Sequence, residues 1–172
     1  VSQWQRAWLS GPVLERELSF WKDVLGGELP VLELPTDRPR PAVQTSRGAI
    51  ITLSIGPELA AEIKTVSRRS GATLYMTLLS AFFMLLARET GQTDLIVGTP
   101  IANRTRKETE GLIGFFVNTL AIRTPVSHAS VVAEVIAAVR EACLDAYAHQ
   151  ETPFEQLVDV LQPSRDVSRS PI

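Results

Sequence analysis

The sequence predicts an α/β protein built as a layered α/β sandwich. Three observations carry that expectation: apolar residues recur at helical spacing in five segments, strand-like runs lie between them, and the order is helix, strand, helix, helix, strand, strand, helix, helix. No internal repeat and no low-complexity tract interrupts the pattern. The Gly-x-Gly-x-x-Gly and Gly-x-x-x-x-Gly-Lys-Ser/Thr segments that cradle phosphates are missing, which argues against a doubly wound nucleotide fold.

Each element has a local reason. From Pro12 to Leu25, Leu14, Leu18, Trp21 and Leu25 mark an amphipathic helix, with Pro12 in its first turn and Gly26-Gly27 as its stop. The stretch Leu29 to Arg47 holds Pro30, Pro35, Pro39 and Pro41 among Asp37, Arg38 and Arg40, and predicts an extended surface connector. Ile51, Leu53 and Ile55 alternate with Thr52 and Ser54, the period of a strand with one face on the core. Gly56-Pro57 opens a helix to about Ser70, with Gly71 at its exit, and a second helix runs from about Thr73 to Arg88. That second helix is apolar nearly all round, so neighbours must cover it on several sides.

Asp94 to Thr99 predicts a strand, and Phe115 to Arg123 another, with Phe116, Asn118, Leu120 and Ile122 on one face. Ser130 to Ala148 is a surface helix with Val132, Val135, Ile136, Val139 and Cys143 turned inward. Thr152-Pro153-Phe154-Glu155 starts a last short helix, with Thr152 as N-cap, Pro153 at the first helical position and Glu155 closing a capping box.

Composition narrows the function classes. At 172 residues, 45% hydrophobic and 21% charged, the chain can bury the core of one domain or lobe. A net charge of -2 with scattered basic residues speaks against nucleic acid. The longest apolar stretch, Leu74 to Ala87, is too short to span roughly 30 Å of hydrocarbon as a helix, so no membrane partner is expected. A single cysteine, Cys143, allows no internal disulfide and no cysteine-rich metal site, and fits a cytoplasmic setting. The start Val1-Ser2-Gln3-Trp4 has neither an initiator Met nor a signal-peptide layout and reads as an interior cut.

Few residues offer chemistry. Cys143 with His128 and His149 is the one possible nucleophile and base set, but Cys143 sits on an apolar helix side, where free cysteine behaves as a small hydrophobe. His149 falls at a helix end, and neither histidine has a carboxylate partner placed by sequence. Asn118 carries an amide onto an apolar strand face. It either bonds neighbouring backbone or stands in a channel where it positions a ligand. Arg104 and Arg106 form a short basic loop of the kind usually left in solvent, and Arg165, Asp166 and Arg169 can pair locally.

Three segments taken together carry a family resemblance. Leu112 to Arg123 resembles the Ile-Gly-x-Phe-Val-Asn-Thr motif of nonribosomal peptide synthetase condensation domains, and His149 to Glu155 resembles their His-Gln-x-x-Pro-Phe-Glu motif. Arg165 to Ile172 is similar to Arg-Asp-x-Ser-Arg-Asn-Pro-Leu, with Ser170 in place of the usual Asn. Phe20-Trp21-Lys22, Leu34 to Pro41 and Val97 to Arg104 extend the likeness over essentially the whole chain. The family's His-His-x-x-x-Asp-Gly signature is not in this sequence.

The resemblance implies one lobe of a chloramphenicol-acetyltransferase-like two-lobed domain. Residues 1–172 would be most of the C-terminal lobe, with the N-terminal lobe, its catalytic histidine and the final strands lying elsewhere. It implies amide formation between a donor acyl or peptidyl thioester and an acceptor aminoacyl thioester in antibiotic and other secondary metabolite biosynthesis. The substrates ride on phosphopantetheine of upstream and downstream peptidyl carrier proteins, beside an adenylation domain. No directly bound cofactor, metal or nucleic acid is expected. Gly98, Thr99, Pro100, Arg104, Gly114, Phe116 and Asn118 would border the substrate tunnel, Asn118 ordering the site. Pro153, Phe154, Glu155, Arg165, Asp166 and Arg169 would hold the lobe together. An epimerization domain of the same fold and a non-catalytic carrier-protein docking or recruitment domain are the competing readings.

Overall fold

The computed structural model describes residues 2–43, 48–127, 129–161 and 168–172. Helices α1 (Ser2–Trp8) and α2 (Gly11–Leu25) precede α3 (Pro57–Arg69) and α4 (Leu74–Thr90). Strand β1 (Asp94–Ile101), the single turn α5 (Lys107–Glu110), strand β2 (Asn118–Pro125), α6 (Val132–Ala148) and α7 (Phe154–Leu161) follow. The strands pair antiparallel, with Asp94 opposite Pro125, Gly98 opposite Ala121 and Ile101 opposite Asn118.

Local chemistry sets the helix ends. Thr73 caps α4 by accepting a hydrogen bond from the Met76 N–H at 3.2 Å, and Gly91, at φ +72°, closes it with its N–H on the Ala87 carbonyl. α2 stops at Gly26 because a Cβ there would lie 2.3 Å from the Lys22 carbonyl oxygen. Arg123 secures that end, donating to the Val24 and Gly26 carbonyls at 3.2 and 3.1 Å. The same guanidinium forks onto both carboxylate oxygens of Asp94 at 3.0 and 2.7 Å, so one side chain ties β1, β2 and α2 together.

The core lies where α4 and α6 cover the sheet: Phe83, Leu95, Leu120, Ile122, Val139 and Cys143 are fully enclosed, with Trp21 and Leu25 of α2 and Leu157 of α7 against them. Trp21 also finds a partner for its indole N–H, the His149 carbonyl at 3.2 Å. Residues 31–33, after α2, are held by Gln92, whose side chain accepts from the Glu33 N–H and donates to the Val31 carbonyl.

Three expectations are corrected. Residues 51–55 form no strand and pair with none among the described residues, and Ile51 and Leu53 stand 85% and 87% exposed. A strand is made by a neighbour's hydrogen bonds, and the alternating pattern alone cannot supply one. The strand expected from Phe115 begins only at Asn118, because its partner β1 ends opposite that residue at Ile101. Phe115 is accordingly 91% exposed. Thr152 does not cap α7: its hydroxyl is buried without a partner, and the cap comes from a strand described below.

α4 is not covered on every side either. Tyr75, Leu78, Phe82 and Leu85 form an exposed apolar stripe along it. Phe83→Ala is expected to destabilise the chain by about 3–5 kcal/mol in urea unfolding, since it empties a closed site. Ile51→Ser is expected to change stability by less than about 0.5 kcal/mol, as an exposed position with no contacts to lose.

Candidate functional site

Asn118 opens β2, and its amide is the centre of the site. Its Nδ2 donates to the carbonyls of Gln150 and Thr152 at 2.9 and 2.8 Å, while its Oδ1 accepts from the Phe154 N–H at 3.0 Å. The acceptor thus caps α7 from another element, satisfying a backbone N–H that the helix cannot. The donors hold the preceding turn. At 8% exposure the residue is buried, with both ends of its amide bonded to backbone.

That turn is held from behind as well. His149 Nδ1 lies 2.8 Å from Glu17 Oε2, and its ring stacks on Phe20 with centroids 3.7 Å apart. Glu17, 3% exposed on α2, is a carboxylate that sequence reading left unassigned. It sits 132 positions from its partner, and neither period nor motif announces the pair. Arg16 adds a second contact to Glu17 at 3.2 Å.

Beside Asn118 lies a cleft of about 340 Å³. It is lined by Trp4 and Gln5 of α1, by Asn103, Thr105 and Arg106 of the loop after β1 with Thr109 of α5, by Phe115 to Asn118, and by Glu151, Pro153 and Glu155. Arg106 lies over the Trp4 ring at 4.0 Å, so its charge is held against a π face. Thr105 donates its hydroxyl proton to Glu151 Oε1 at 2.6 Å, joining the loop after β1 to the 149–154 turn. Asn103 has φ +49°, a left-handed conformation that Asn tolerates better than most residues.

Of the residues singled out from sequence for the tunnel, Phe116 and Asn118 line this cleft. Arg104 lies over the Phe116 ring at 4.1 Å and donates to the Thr109 and Leu112 carbonyls, the latter at 3.0 Å, so it shapes the loop instead of standing in solvent. Gly98 lies within the sheet, where an added Cβ would meet the Thr119 methyl at 3.4 Å. Thr99 is buried and shares a 2.7 Å hydrogen bond with the Tyr75 hydroxyl. Pro100 pairs with Thr119, and Gly114 stands next to the Phe116 ring. Pro153, Phe154 and Glu155 are at the start of α7, and Arg169 Nη1 donates to the Leu32 carbonyl at 3.2 Å. Arg165, Asp166 and His128 lie outside the described residues.

Cys143 is remote from the cleft, enclosed between helix and sheet. Burial raises its thiol above the ordinary range, against a hydrogen bond from Tyr147 that lowers it. Burial likewise pushes Tyr147 up to about 12. A group raised by folding holds its proton when the unfolded chain has already released it, so its stabilisation is complete below the unfolded pKa and is lost as pH rises.

The whole chain matches the condensation domain family over residues 1–172. It belongs to that family. It is 54% identical over 169 residues to one component of the linear gramicidin synthase of Brevibacillus parabrevis, covering 98% of this chain and 2% of that one. It is 46% identical over 158 residues to surfactin synthase subunit 1 of Bacillus subtilis (strain 168), covering 92% and 4%. The chain therefore spans a small part of the curated relatives it matches.

Among solved structures, the X-domain in its complex with OxyB from teicoplanin biosynthesis superposes with a TM-score of 0.91 at 29% identity, over 98% of this chain and 38% of that one. The four-domain nonribosomal peptide synthetase AB3403, bound to AMP and glycine, superposes with a TM-score of 0.88 at 28% identity over 92% and 12%. The α/β fold expected from the sequence is the one these domains share.

Two outcomes follow. Asn118→Ala leaves two carbonyls and one N–H without their partner, and is expected to lower stability by about 1–3 kcal/mol in chemical denaturation. The contribution of these two groups is complete at neutral pH, and stability is expected to fall as pH rises from about 9 toward about 12, read as the urea midpoint against pH. A midpoint that rises over that interval contradicts the burial of Cys143 and Tyr147.

Proposed function

We propose that residues 1–172 form one lobe of a nonribosomal peptide synthetase condensation domain. The domain joins a donor acyl or peptidyl thioester to an acceptor aminoacyl thioester, both carried on phosphopantetheine. The observation that carries this reading is the cleft beside Asn118: two of the family-motif segments recognised in the sequence, Leu112 to Arg123 and His149 to Glu155, meet there through the Asn118 amide and both supply residues to its lining.

The exposed Tyr75, Leu78, Phe82 and Leu85 stripe and the unpaired Ile51, Leu53 and Ile55 segment support the one-lobe reading, since further polypeptide of the domain would cover both. So does the 38% of the X-domain chain that this chain covers. The partners are then upstream and downstream carrier proteins and a neighbouring adenylation domain, in a cytoplasmic synthetase. Among the described residues no single helix is long and apolar enough to cross a membrane.

The reaction transfers an acyl group from sulfur to nitrogen: the acceptor amine attacks the donor carbonyl, the C–S bond breaks, and the amine proton must be removed as the thiol leaves. The lining of the cleft carries the carboxylates of Glu151 and Glu155 and, among the described residues, no imidazole or thiol; what it contributes in this reading is positioning. Holding amine and carbonyl together supplies much of the acceleration in such a bimolecular step. Proton handling falls to the family's histidine signature in the other lobe.

A second reading has one specific observation behind it. The X-domain that superposes so closely is described in a complex with OxyB, so a domain of this fold can serve to bind another protein. Loaded donor and acceptor carriers, offered to the parent polypeptide, decide between the two. The expected result is an amide product detected by mass spectrometry, with none above the uncatalysed background from residues 1–172 alone. Turnover by the isolated chain sinks the one-lobe reading. A parent polypeptide that binds carriers without forming an amide favours recruitment.

A further inference from the structure

We infer that the Thr105 to Glu151 hydrogen bond is a latch across the cleft that sets which aminoacyl side chains it admits, a reading that rests on the condensation function above. The two walls are each fixed by their own contacts. The 149–154 turn is pinned by Asn118 on one side and by Glu17 and Trp21 on the other. The loop after β1 is pinned by Arg104, which ties it to the Thr109 and Leu112 carbonyls.

Between these walls the direct polar contact is the 2.6 Å bond from Thr105 Oγ1 to Glu151 Oε1. It joins residues 46 positions apart and faces solvent, so water can replace either partner when it opens. Two segments, each pinned by its own contacts and joined among the described residues by one exchangeable side-chain bond, give a gap with two states. Closed, the gap is bounded by the Glu151 side chain; open, Glu151 can swing clear while Asn118 keeps the turn in place. The property that responds is the size of the group held between Trp4, Phe116 and Pro153.

The same wall explains why the latch is a specificity element and not a fold element. Glu151 itself makes no contact that α7 or β2 requires, since Asn118 takes the carbonyls on either side of it, those of Gln150 and Thr152. Its removal therefore changes the gap and leaves the turn standing.

The test uses the domain in its parent polypeptide with Thr105→Val, which keeps the shape and removes the hydroxyl, and Thr105→Ser, which restores it. The kcat/KM ratio for a bulky against a small aminoacyl group is measured, varying first the acceptor and then the donor; the position that responds identifies which substrate occupies the gap. In parallel, affinities are measured for unreactive glycyl- and tryptophyl-pantetheine amides. Thr105→Val is expected to move both ratios toward the bulky group by about tenfold, comparable to the discrimination one side-chain contact gives, and Thr105→Ser to return them to the wild-type value.

Unchanged ratios in Thr105→Val overturn the latch, as does an equal loss for both groups, which would be a structural defect. Failure of the wild type to bind either amide also overturns it. Amide binding that follows the expected ratios without any turnover upholds the latch while sinking the condensation reading.

Discussion

The amide of Asn118 is the constraint on which the arrangement of the site depends. A buried primary amide must find partners for two donors and an acceptor, and here all come from five residues of backbone. The strand therefore dictates where α7 begins and where the turn before it runs. A helix start that would ordinarily be capped by its own neighbour, Thr152, is instead set by an element more than thirty positions earlier in the chain.

Around that bond the structure divides into a stiff and an adjustable part. Trp21, Phe83, Leu120 and Val139 form the closed core, and Arg123 fastens the sheet to the end of α2 through two hydrogen bonds and grips Asp94 of β1 through two more. The cleft side is assembled from loops and helix ends, with aromatic rings under guanidinium groups at both Arg104 and Arg106. Such a surface can position a flexible ligand without large rearrangement of the core, which suits a reaction in which proximity is the main contribution.

Much of the fold was legible in the sequence because helices are local. The bounds of α3 and α4 follow from Pro57, Gly71, Thr73 and Gly91, whose caps and left-handed turns need only near neighbours. The strand at Asp94 was legible for the same reason, as a short apolar run bounded by turns. The Ile51 to Ile55 pattern misled because alternation describes a face, and a strand also needs an edge to join. In the site, Phe116 and Asn118 stood out from the motif they share, whereas Trp4, Thr105 and Glu151 carry no signal until the chain has folded.

By itself the sequence determined the α/β class, the bounds of α3 and α4, the condensation family through its motifs and the need for Asn118 to find partners. Tertiary structure alone decided who those partners are, that Glu17 meets His149, and that Thr105 meets Glu151. The physical reason is the range of the interactions. Propensity and capping act within a few residues, while a buried polar group is satisfied by whatever donor or acceptor the packing of distant helices and strands brings within 3 Å.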